Sequence, residues 1–86
     1  MSDVGDTIRG VLAERGHLSG SATKLKDHED LYERGLTSHA SVNVLLALED
    51  AFDVEFPDPL MKKETFRSVG AIRDALGSLG VDNSSA

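Results

Sequence analysis

The chain has 86 residues, 40% hydrophobic and 28% charged, which fits one small soluble domain with a thin core and excludes a deep internal substrate cavity. Its formal net charge of -6 repels phosphate backbones and anionic lipid, so neither nucleic acid nor a membrane surface is an expected partner. Cysteine is absent, which excludes disulfides and thiolate metal sites and means that any thiol chemistry must be borrowed.

Val4, Ile8, Val11 and Leu12 recur at the offsets of one helical face, predicting a helix from Ser2 to Arg15. Ser2 suits its N-cap, Asp3 its positive end and Gly16 its stop. From His17 to Leu36 no period persists, and Gly, Ser, Thr and Asp are frequent, so a long connection is expected. Leu18, Leu25, Leu31 and Leu36 are spaced to anchor that loop over the core, and Asp30-Leu31-Tyr32 suits a short helical turn.

The strongest pattern runs from Ser38 to Phe52. Val42, Leu45, Leu46, Glu49 and Phe52 trace helical offsets, and Val44 and Leu48 widen the apolar face. Val42, Leu45, Leu46 and Phe52 are the expected inward side. Thr37 or Ser38 can cap the start, and the extended Val54-Glu55-Phe56-Pro57 follows. Pro57 and Pro59 then leave room only for a short helix or turn at Leu60 to Lys63. Ser68 opens a last helix with Val69, Ile72, Ala75, Leu76 and Leu79 on one face, weakened at its end by Gly77 and Gly80. Residues 1–80 form the expected domain, and 81–86 an expected frayed tail. Three amphipathic helices and a short one predict an all-α bundle. With neither a membrane-length apolar run nor a signal-like start, the cytoplasm is the expected compartment.

Few residues suggest chemistry. Ser38 and His39 are adjacent, but neighbours on a helix point about 100° apart, and no glycine-flanked elbow surrounds the serine, so a nucleophile–base pair is not expected. His28, Glu29, Asp30 and Glu33 match neither a calcium loop nor a paired-histidine helix and read as a solvated acidic loop; His17 reads as a surface residue. No metal site is expected. Ser38 can be a plain helix cap. Its place after a long loop, at a helix N-terminus, also makes it a good seat for a phosphate, because free N–H groups and the helix dipole favour negative charge there.

Asp30-Leu31-Tyr32, Gly35-Leu36-Thr37-Ser38, Val42, Leu46, Ala47-Leu48-Glu49, Phe52 and Val54-Glu55-Phe56-Pro57-Asp58, in that order, resemble an acyl carrier protein over nearly the whole chain. The resemblance implies a four-helix bundle, three longer helices and a short one, in which Ser38 carries a 4'-phosphopantetheine arm taken from coenzyme A. A phosphopantetheinyl transferase attaches the arm, whose thiol holds cargo as a thioester. Ser38 then needs no base of its own, the missing cysteine is explained, and the protein is a carrier rather than an enzyme.

Two flanks depart from the family. Thr37 stands where the family has an aspartate that helps bind the magnesium used in arm transfer, and His39 replaces a leucine that contacts partners. Ala40, Ser41 and Asn43 also stand where fatty-acid carriers tend to be acidic. With these departures the chain is similar to stand-alone aminoacyl carrier proteins, whose arms are loaded by amino acid:carrier protein ligases related to class II aminoacyl-tRNA synthetases and pass cargo to a downstream acceptor enzyme. A carrier of acyl or peptidyl chains, in fatty-acid, polyketide or nonribosomal peptide synthesis, is the alternative; an unmodified helical interaction module is a third reading. The expected partner surface of this monomer is Thr37, His39, Ala40, Asn43, Val44 and Ala47, with the arm lying mostly outside a core that has little room.

Overall fold

Four-residue spacing places Val4, Ile8 and Leu12 on one side of a helix, and all three are buried in α1, Val4–Arg15. The structure is a computed structural model that describes residues 4–16, 18 and 24–81. The Ser2 cap, Asp3, His17 and residues 82–86 of the expected 81–86 tail lie outside the described residues, whereas Val81 is half-buried against the core and donates its N–H to Leu76 O at 3.0 Å. Gly16 closes α1 by donating its N–H to Leu12 O at 2.9 Å, and a Cβ there would sit only 2.8 Å from that oxygen.

Helix α2, Ser38–Phe52, has the predicted bounds. Its rotation about its own axis differs from expectation. Ala40, Val44, Leu45 and Leu48 face the core, whereas Val42 and Leu46 are 55% and 56% exposed and Phe52 is half-buried. The central turns are apolar on nearly every side, so periodicity alone admits two inward strips; the packed one is the 40–44–48 strip with Leu45.

Glu49 ends the helix twice over. Its carbonyl accepts the N–H of Asp53, which sits in the left-handed region at φ 54°, and that of Val54 at 3.1 Å. Its carboxylate Oε2 accepts the Phe56 N–H at 2.7 Å, which turns the extended chain inward and buries Phe56.

Where a short helix or turn is expected at Leu60 to Lys63, the chain forms two 3-10 turns, Asp58–Leu60 and Lys63–Phe66, and there is no fourth α-helix among the described residues. Pro57 and Pro59 stand at the start of the first turn, where no N–H is needed, and each turn closes with three-residue bonds, Leu60 N–H to Pro57 O at 2.9 Å and Met61 N–H to Asp58 O at 3.0 Å in the first. The second turn delivers Phe66 against Phe56, ring centroids 5.7 Å apart. Helix α3, Val69–Ser78, follows Ser68, where the last helix is expected to open, and Ser68 caps it: its Oγ accepts the Ala71 N–H at 3.1 Å. It buries Val69, Ile72, Ala75 and Leu76. α1 packs against both α2 and α3, and α3 packs against the second 3-10 turn. The described residues thus form three α-helices and short turns, with no strand and no helix long and apolar enough to cross a membrane.

The long loop is fastened as well as buried. Leu25, Leu31 and Leu36 are in the core and Leu18 packs against it. Leu31 N–H donates to Arg67 O at 2.7 Å and Gly70 N–H to Asp27 O at 2.9 Å. A Cβ on Gly70 would lie 3.1 Å from that Asp27 oxygen, so glycine lets the loop close onto α3. Asp27 also joins the helices: Arg73 donates to Oδ2 at 2.7 Å, Arg9 donates to Oδ1, and Arg9 Nε reaches Leu25 O at 2.7 Å. One carboxylate thereby links the loop to α1 and α3.

Hydrogen bonding from Arg73 outweighs the desolvation of Asp27 and, with the charges of Arg73 and Arg9, holds its carboxyl below the usual value. A depressed folded pKa stabilises the fold above the unfolded value and loses that effect as pH falls through the folded one. Asp27→Asn should therefore lower stability by about 1 kcal/mol at pH 7, since the carboxylate is half exposed and screened. Denaturant titrations should show the difference between the two proteins shrinking as pH falls below 3.8, the ordinary value for this group.

Candidate functional site

The segment before α2 is a hydrogen-bonded turn held at both ends by buried leucines. Asp30 Oδ1 accepts the Tyr32 N–H at 2.9 Å, and Leu31 O accepts the N–H groups of Arg34 and Leu36, each at 3.0 Å. Gly35 takes φ 106°, a value L side chains rarely adopt, and so turns the chain into α2. With Leu31 and Leu36 in the core, Thr37 arrives at the helix start in an extended conformation, and its Oγ1 accepts the Ala40 N–H at 3.0 Å. Of the two predicted caps, Thr37 is the one used.

That choice leaves Ser38 free of capping duty. It is the first residue of α2 and exposed. Ser38 and His39 belong to the first turn, where backbone N–H groups have no carbonyl within the helix to bond. Ser41 Oγ donates to Ser38 O at 2.7 Å, tightening the turn from the other side.

Ser38, Val42 and Leu46 follow each other at four-residue intervals and share one face of α2. Together with Ser41 and Leu45 they form one wall of an open groove of about 420 Å³, faced by Tyr32, Met61, Lys62, Lys63 and Phe66. Tyr32 braces the opposite wall: its hydroxyl donates to Lys63 O at 2.9 Å, and Lys63 Nζ lies 4.9 Å from its ring centroid. Burial, with the nearby carboxylates of Asp30 and Glu64, pushes the Tyr32 pKa upward, so the hydroxyl stays a donor.

The expected partner surface is only partly accessible. Thr37 and His39 are exposed, and Asn43 and Ala47 are half-buried. Ala40 and Val44, at 3% and 0% exposure, belong to the core and cannot serve as contact surface, because the packed strip of α2 is the one they occupy. Sequence reasoning also missed the far wall of the groove. Met61 and the Lys62-Lys63 pair follow the prolines in an otherwise acidic chain, and that local change of character was the available signal.

Glu29 and Asp30, in the acidic loop, have their oxygens engaged: Glu29 pairs with Arg34 and accepts the Lys26 N–H, and Asp30 lies 3.5 Å from Arg67 Nε. Among the described residues no three His, Asp or Glu side chains are grouped to hold a metal ion.

Residues 6–76 match the family model described as the phosphopantetheine attachment site. The chain belongs to this carrier family. It is 46% identical over 70 residues to an aminoacyl carrier protein of Agrobacterium fabrum, an alignment covering 81% of this chain and 84% of the relative. It is also similar to a chain in the crystal structure of an engineered Bradyrhizobium japonicum glycine:[carrier protein] ligase complexed with a carrier protein from Agrobacterium tumefaciens and ATP. That match has a TM-score of 0.83 at 43% identity and covers 87% of this chain and 97% of the other. A chain in the Bradyrhizobium japonicum ligase complexed with glycylated carrier protein superposes with TM-score 0.71 at 26% identity, over 84% and 96%.

The residues present fit the group this carrier family bears. An exposed hydroxyl stands at a helix N-terminus whose capping is done by the neighbouring residue, and a mostly apolar groove begins beside it. Thr37→Ala should cost about 1 kcal/mol of stability through the lost cap, and Thr37→Ser should restore most of it. Urea unfolding of the three proteins checks this.

Proposed function

We propose that Ser38 bears a 4'-phosphopantetheine arm and that the protein carries an activated amino acid on it as a thioester. The observation that carries this reading is the placement of Ser38: an uncommitted, exposed hydroxyl at the first residue of α2, inside a phosphopantetheine attachment domain. The arm's thiol supplies the thioester chemistry. The chain's own residues have other tasks. Ser38 Oγ gives up its proton and attacks the pantetheine-side phosphorus of coenzyme A, so that the new P–O bond makes the phosphodiester while the pyrophosphate bond breaks and adenosine 3',5'-bisphosphate leaves. The positive end of α2 offsets the charge of the phosphodiester, and Thr37 keeps that end folded.

Nothing in this division of labour asks the carrier to catalyse. A phosphopantetheinyl transferase makes the phosphodiester, an ATP-dependent amino acid:carrier protein ligase loads the arm, and an acceptor enzyme unloads it. The aminoacyl carrier relative and the glycylated carrier in the ligase complex support an amino acid as cargo over a fatty acyl or peptidyl chain. The exposed polar side chains beside Ser38, Thr37 and His39, leave space for an enzyme to approach the arm and depart after each transfer.

Incubation with coenzyme A, magnesium and a broad-specificity phosphopantetheinyl transferase should add one phosphopantetheine, by intact mass, to a peptide containing Ser38. Ser38→Ala should abolish the addition without loss of helicity. Subsequent incubation with ATP, glycine and a glycine:carrier protein ligase should add one glycyl group that neutral hydroxylamine removes. Addition elsewhere, or none with the native transferase, overturns the reading.

A further inference from the structure

We propose that the groove beside Ser38 docks the loading enzyme through an apolar side chain flanked by carboxylates, so that the carrier offers the positive partner of the contact despite its overall acidity. This rests on the proposed carrier role and names the chemistry of the partner at that site.

Val42, Leu46 and Met61 are the large apolar side chains left exposed among the described residues, at 55%, 56% and 49%, and all three line this one groove. Clustered exposure of that kind marks a surface that another molecule covers. The charged residues lining the groove are Lys62 and Lys63. From Ser38 to Leu48, α2 carries no carboxylate, and its acidic pair Glu49 and Asp50 comes only near the far end.

Asp30 and Glu64 line an adjoining notch with Arg67, and Tyr32 and Lys63 border both hollows. Asp30 there accepts from Tyr32 N and lies beside Arg67. In a chain of net charge -6, the charged part of the groove's own lining is therefore basic. A basic partner surface would meet two ammonium groups there, whereas one with Asp or Glu around an apolar anchor gains from both features. The lysines stand at the rim, where charge chiefly steers encounter and sets salt dependence.

The test is binding of the protein, with and without its arm, to the engineered Bradyrhizobium japonicum glycine:[carrier protein] ligase at low and high sodium chloride. The Lys62→Glu/Lys63→Glu variant should bind on the order of tenfold more weakly at low salt, a few-fold per reversed rim charge. Wild-type affinity should fall as salt rises, and the variant's should not. Leu46→Gln should weaken binding by a similar factor at every salt concentration. Tyr32 donates to the backbone carbonyl of Lys63, so that bond remains possible in the charge variant, and unchanged helicity verifies the fold.

Unchanged or tighter binding by the charge variant overturns the proposal, as does absence of wild-type binding. Failure of arm attachment at Ser38, read separately by intact mass, would defeat the carrier role instead. The unmodified chain would still report on the surface in that case.

Discussion

The rotation of α2 about its own axis is the constraint on which the rest of the molecule depends. Burying Ala40, Val44 and Leu48, with Leu45 beside them, forces Ser38, Val42 and Leu46 to the outside, since they repeat every four residues on another face. A rotation that buried Val42 and Leu46 would turn Ser38 inward with them. A hydroxyl taken into the core needs a hydrogen-bond partner, and a phosphodiester there would be far more costly. Core packing and presentation of the serine are therefore one requirement.

Both ends of α2 are set by contacts outside the helix. At its start, the turn between Leu31 and Leu36 fixes where Thr37 enters, and Thr37 supplies the cap that Ser38 would otherwise have to make. That turn is held by the Leu31–Arg67 backbone bond, and the loop before it by Asp27, which bridges Arg9 of α1 and Arg73 of α3. At its end, Glu49 directs the chain back so that Phe56 and Phe66 close the bundle beneath the groove. A small domain with a thin core uses such polar fastenings where a larger one could rely on buried area. They also leave the face of α2 around Ser38 free of structural obligations, which suits a surface that must meet several enzymes in turn.

Much of this was legible in the sequence. The bounds of α2, the opening of α3 at Ser68, the buried leucines of the long loop and the singular position of Ser38 follow from periodicity and capping chemistry. The rotation of α2 was not, because Val42-Asn43-Val44-Leu45-Leu46-Ala47-Leu48 offers apolar residues on opposite sides and only tertiary packing chooses between them. The same ambiguity put Ala40 and Val44 on the expected partner surface. The Arg9–Asp27–Arg73 bridge joins residues far apart in sequence, and no local pattern announces it. The proline-rich segment signalled a short element but not its kind, since so short a stretch can close either as an α-turn or as 3-10 turns.

The measurement that tests this account most directly compares Leu48→Ala with Leu46→Ala in equilibrium unfolding, because the two leucines stand on the two competing strips of one helix. Loss of 2–5 kcal/mol for Leu48→Ala, the range for about a full leucine side chain removed from a packed core, with less than about 1 kcal/mol for Leu46→Ala, is the predicted result. The reverse order would mean that α2 packs on its other strip, with Ser38 turned toward the core, and would contradict both the architecture and the function derived from it.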